Sequence, residues 1–110
     1  MSELTEAATR HVERFNEAVR AGDFTDLVDC FAPNAVMRFI GVPAGPYIGR
    51  AAIDQAYADS PPDDTMSIVD VYEVGPCTVQ VTFAWTRGGA GSMTMSYDKG
   101  AVIDLTVAFA

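Results

Sequence analysis

Histidine is almost missing from this sequence: His11 is the only one in 110 residues. A single imidazole cannot assemble a histidine-rich metal site, and any Ser-His-Asp or Cys-His relay would have to run through it. His11 falls among the core positions of a helical pattern and reads as a core-edge residue. Cysteine is scarce as well. Cys30 and Cys77 show neither metal-ligand spacing nor a disulfide framework, which fits two structural thiols in a reducing cytoplasm. Basic residues are few: 7 Lys plus Arg stand against 15 Asp plus Glu, a formal charge of −8. So acidic a chain repels phosphate backbones and anionic lipid, so neither nucleic acid nor a membrane surface is an expected partner. No apolar run approaches the ~20 residues of a bilayer-spanning helix. Residues 1–30 carry Glu3, Glu6, Glu13 and Glu17 on a helical pattern where an export signal would be apolar. A cytoplasmic location is expected. No cofactor motif, internal repeat or linker is present.

What the chain does have is apolar mass, 49% of its residues, enough for one domain over residues 1–110 to bury a core. Leu4, Ala7, Ala8, His11, Val12, Phe15, Ala18 and Val19 recur at three- and four-residue steps, the stripe of an amphipathic helix. Ser2 is placed to cap it and Gly22 to stop it. Asp23 opens a second, shorter helix with Leu27, Val28 and Phe31 on its buried side, ended by Pro33. A strand is expected over Asn34 to Ile40, then a Gly- and Pro-rich loop, then a helix over Gly49 to Asp59. From Thr65 the pattern becomes β-rich: Met66 to Val74, Thr78 to Trp85, Ser92 to Tyr97 and Val102 to Phe109, separated by short turns. Strands joined so closely should pair antiparallel. Three helices on one face of an amphipathic sheet make an α+β domain.

The segments Ala21-Gly22-Asp23-Phe24, Leu27, Phe31-Ala32, Asn34-Ala35-Val36, Gly49-Arg50 and Ile53 resemble the nuclear transport factor 2-like superfamily. The likeness is greatest to its ketosteroid isomerase-like and SnoaL-like members. It implies a cone: a curved antiparallel sheet wrapped around an apolar pocket, with three helices closing the wide end. Ketosteroid isomerases move a proton with an Asp base, while a Tyr and a protonated Asp stabilise the enolate oxygen. Matched on Arg14 and the Ala-Gly-Asp segment, the helix-one Tyr of that family becomes Phe15. Matched on Asn34-Ala35-Val36 and on the last hairpin, the base becomes Phe39 and the protonated Asp becomes Met93. None of the three can take a proton or donate a strong hydrogen bond. Tyr57 falls on a family tyrosine that supports the oxyanion network.

Three charged residues remain as catalytic candidates. If the turn at Asp98 to Ala101 pairs Tyr97 with Val102, regular alternation sets Asp104 opposite Met95 and Thr106 opposite Met93, facing the pocket. The apolar row of the last strand argues the opposite, since Ile103, Leu105, Val107 and Phe109 would face inward and leave Asp104 in water. Under the first register, that row covers the outer sheet face and suits a homodimer. Asp70, between Ile68 and Tyr72 on alternate positions, is a second inward candidate. Limonene epoxide hydrolases, which share the implied fold, activate water with an Asp-Arg-Asp arrangement, and Arg38 with Asp104 and Asp70 would imitate it in kind. Phe15, Phe39, Tyr47, Tyr57, Phe83, Trp85, Met93, Met95 and Thr106 are the expected ligand-binding residues, a lining suited to an apolar small molecule. The expected function is an isomerase, cyclase or hydrolase acting on a polycyclic or terpenoid-like substrate. Its alternatives are a non-catalytic binder of such molecules and a dimeric interaction module.

Overall fold

The computed structural model of the chain describes residues 2–109. Helix α1 spans Glu3–Ala21, with the Ser2 hydroxyl accepting the Thr5 N–H and Gly22 ending it in the left-handed region at φ 69°. That conformation suits glycine because a Cβ there would crowd the backbone. Helix α2, Thr25–Val28, is a single turn. Strand β1 then runs over Phe31–Ile40, β2 is Tyr47–Ile48, and helix α3 is Arg50–Asp59. Four strands follow: β3 Met66–Gly75, β4 Thr78–Trp85, β5 Ala90–Asp98 and β6 Ala101–Phe109.

β1 starts three residues before the expected Asn34, because Phe31 pairs with Val102 instead of joining a longer α2. Pro33 lies within the strand, exposed, where the β1–β6 register shifts between Phe31 and Val36. A residue without an N–H is tolerated at such an irregularity. The sheet is curved and unclosed, in the order β2-β1-β6-β5-β4-β3. Four of its five pairings are antiparallel; β6 returns beside β1 in parallel. The hairpin pairings were legible from the short turns, and the parallel pair was not.

One face of the sheet carries Ala35, Met37, Val79, Val81, Phe83, Met93, Met95, Val102 and Leu105, all buried. Over it lie Ala8, Val12, Phe15 and Ala18 of α1 and Ile53 and Tyr57 of α3. Asn16 fastens α1 to the start of β3: its Nδ2 donates to the Met66 carbonyl and its Oδ1 accepts the Met66 N–H, both at 2.9 Å. At Gly91 a Cβ would stand 2.6 Å from the Ala108 carbonyl oxygen and 2.8 Å from the Phe83 ring. Glycine there lets the Phe83 ring lie flat across β5. Among the described residues, no helix is long and apolar enough to cross a membrane.

One-residue bulges beside Asp104 and Asp70 decide which way those residues face. Tyr97 pairs with Val102 as expected, but Ser96 pairs with Asp104, which leaves Ile103 as an extra residue in β6. Likewise Ile68 pairs with Phe83 and Asp70 with Thr82, leaving Val69 extra in β3. An extra residue reverses the side-chain alternation beyond it. The inward placement expected for Asp104, Thr106 and Asp70 is therefore corrected: all three lie on the outer face. Leu105 and Val107 face inward, so the apolar outer row expected to carry a dimer contact is also corrected. That strand presents Asp104, Thr106 and Ala108 outward in its place.

Candidate active site and ligand cavity

A cavity of about 70 Å³ lies between α1, α3 and the inner face of the sheet. Every layer contributes to its wall. α1 supplies His11 and Phe15, β1 Met37 and Phe39, and α3 Tyr57. Met66 comes from β3, Phe83 and Trp85 from β4, Met93 from β5, and Leu105, Val107 and Phe109 from β6. The rings brace one another. Trp85 meets Phe83 edge-on at 5.1 Å and Phe15 at 6.2 Å, and Phe39 stacks on Phe109 at 6.3 Å. Tyr57 stacks on Phe24 at 5.0 Å behind the wall. Phe109 is 39% exposed and marks the rim.

Six of the expected binding residues, Phe15, Phe39, Tyr57, Phe83, Trp85 and Met93, line this cavity. Three do not. Met95 is fully buried between Val79 and Leu105, packed away from the cavity, with the Tyr97 hydroxyl 3.7 Å from its sulfur. Tyr47 stands behind the wall, edge-on to Phe39 at 6.2 Å. Thr106 is on the outer face, its hydroxyl 3.4 Å from Asp104 Oδ1.

The charged candidates lie outside. Arg38 and Asp104 form an ion pair on the outer face, with both side chains substantially exposed. Asp70 is exposed, its Oδ1 accepting the Val71 N–H at 2.9 Å. β3 and β6 are three strand spacings apart, roughly 14 Å, so no Asp-Arg-Asp group assembles. Among the described residues, no three His, Cys, Asp or Glu side chains come together as a metal site would require. Cys30 and Cys77 are free thiols.

The sequence reasoning missed His11, Met37, Met66, Leu105, Val107 and Phe109 as lining residues. The last three had a signal, the apolar row of the final strand, but the hairpin register displaced it. His11 had one too, lying one helical turn before Phe15. It is 3% exposed, and its ring stands edge-on to Phe31 at 5.8 Å. Its Nδ1 is buried with no hydrogen-bond partner, at a cost on the order of 1–3 kcal/mol. Burial, with a smaller push from Arg14, lowers its pKa from 6.5 to about 4. Burial raises that of Tyr57 well above the usual phenol value. His11 and Tyr57 are the titratable residues of the lining, and both are uncharged at neutral pH. Such a site offers apolar contact and neutral hydrogen bonding. Among the described residues, its lining contains no carboxylate.

The comparisons bear on the fold and the family. A curated-protein search finds no match. Among solved structures, an epoxide hydrolase/cyclase-like enzyme, SalBIII, with a role in pyran ring formation in polyether salinomycin, superposes with a TM-score of 0.79. It is 16% identical, over 98% of this chain and 91% of that one. An NTF-2 like protein of unknown function from Burkholderia xenovorans LB400 gives 0.72 at 16% identity, over 96% and 84%. A computationally designed 17-OHP binder gives 0.71 at 13% identity, over 94% and 91%. At these identities the likeness establishes the fold alone. The SnoaL-like domain family matches residues 12–109, and the chain belongs to that family.

Proposed function

We propose that this chain takes up a small apolar molecule in the cavity beneath α1, and that it does so without the proton-transfer groups of the steroid isomerases. The observation that carries this reading is the lining itself. Phe15, Phe39 and Met93, the positions where the resemblance expects a Tyr and two Asp, all border the cavity and are all apolar. Asp104, Asp70 and Arg38 point elsewhere, so isomerase, cyclase or hydrolase chemistry finds no carboxylate among the described lining residues. That favours binding over turnover, and the fold accommodates either role, as a cyclase-like enzyme and a designed binder among its neighbours illustrate.

A volume of about 70 Å³ is small beside the several hundred that enclose a drug-sized ligand. Even one ring needs more room than that, so uptake requires the walls to give, and a polycycle fits worse than one ring or a short terpenoid chain. Met37, Met66 and Met93 give the walls some play, since an unbranched thioether repacks easily. Their methyl groups also provide the test. In a ¹H–¹³C NMR titration with limonene and with p-xylene, the Met37, Met66 and Met93 methyls should shift while Met95 stays still. Neither compound moving those three methyls would overturn the reading.

A further inference from the structure

His11 is a polar residue on the buried stripe of α1. A leucine or phenylalanine at this place would fill the α1 stripe without burying a polar atom, yet the chain places its only histidine there. The residue is almost wholly buried, its Nδ1 has no partner, and it borders a cavity whose other walls are carbon, sulfur and aromatic ring. An unpaired buried donor or acceptor is costly wherever it stands. The ring borders the cavity, so a molecule held there lies beside it.

We propose that His11 is the polar anchor of this cavity and selects a small apolar molecule carrying one hydroxyl group, a phenol or a compact alcohol. This deepens the binding function proposed above and rests on it. The hydroxyl follows from the chemistry of an uncharged imidazole, which has one donor and one acceptor nitrogen. A hydroxyl both donates and accepts, so it pairs with either tautomer. A carboxylate is disfavoured: the lining holds no cation to offset its desolvation, and the guanidinium of Arg38 is engaged with Asp104 on the far face. Low imidazole basicity is consistent with this role, since burial keeps the ring neutral and able to share a hydrogen bond without being charged. The bound hydroxyl would be held, not deprotonated.

The test uses two molecules of nearly the same shape, p-cresol and p-xylene. With the native chain, p-cresol should bind at least tenfold more tightly and shift the ¹⁵N resonances of the His11 ring, whereas p-xylene should leave them in place. His11→Leu should bring the two affinities together. Equal affinities in the native chain, or p-cresol binding with the His11 nitrogens unmoved, would overturn the anchor while leaving the cavity reading intact. If neither compound moves the Met37, Met66 and Met93 methyls, the cavity reading falls and the anchor with it. Because the comparison of ligands is made on the native chain, the proposal stays testable even if His11→Leu folds poorly.

Discussion

The two faces of the sheet are made by the same strands and look like different proteins. On the inner face, β1, β4, β5 and β6 present Met, Phe, Val and Leu to the helices and the cavity. On the outer face the same strands present Arg38, Thr82, Thr94, Ser96, Asp104 and Thr106. Parity separates the faces, and beside Asp70 and Asp104 it is reset by the extra residues Val69 and Ile103. Both Ile103 and Val69 stand just before or beside an aspartate, and each bulge turns that aspartate outward. Both aspartates stay off the inner face for that reason.

Placing a carboxylate on the inner face should therefore have the largest effect. Leu105 is 2% exposed on the inner face opposite Met95, and Leu105→Asp would set a carboxylate there. An unpaired carboxylate buried among methionines costs several kcal/mol or more, comparable with the whole stability of a small domain. Loss of a cooperative urea transition is expected. A variant that unfolds like the parent would mean position 105 does not face the core.

Acidification should probe the inner face next. His11 is held at about 4 in the folded chain against 6.5 when free. Between these values the unfolded chain binds the extra proton, so its contribution is complete above pH 6.5 and is lost as pH falls toward 4. The loss is about 3 kcal/mol at 1.36 kcal/mol per unit. Asp23, held low by Thr25, pulls in the same direction at still lower pH. His11→Leu isolates the imidazole: its urea midpoint should fall less steeply with pH between 6.5 and 4. Parallel pH profiles would place the ring in contact with water.

The outer face should respond least. Arg38 and Asp104 are both well exposed, and such pairs contribute roughly 0.2–1 kcal/mol. Asp104→Asn should cost no more than that and leave p-xylene binding unchanged. A tenfold loss of binding would put Asp104 back at the site.

The sequence contained the conflict that these bulges resolve. In the last strand the hairpin turn demanded that Val102 face inward, and the apolar row demanded the same of Leu105, Val107 and Phe109. Regular alternation cannot satisfy both, and Ile103 lets both be true. A disagreement between turn register and hydrophobic phase is thus itself a bulge signal. For Asp70 the sign was fainter, since Ile68 and Val71 fall out of step only if Val71 is known to pack against the core. His11 was visible on the helix stripe beside Phe15, but its missing hydrogen-bond partner was not.

By itself the sequence determined the α1 stripe and its caps, the third helix, the three hairpin-linked pairings and the apolar character of the pocket. These depend on periods of 3.6 and 2, on glycine at the helix stop and on short turns, all of which act over a few residues. Only the tertiary structure decided the parallel pairing of β1 with β6, the facing of Asp70 and Asp104, and the burial of His11 Nδ1 without a partner. Those depend on which distant segment lies alongside, and a one-residue slip in that pairing carries every later side chain to the opposite face.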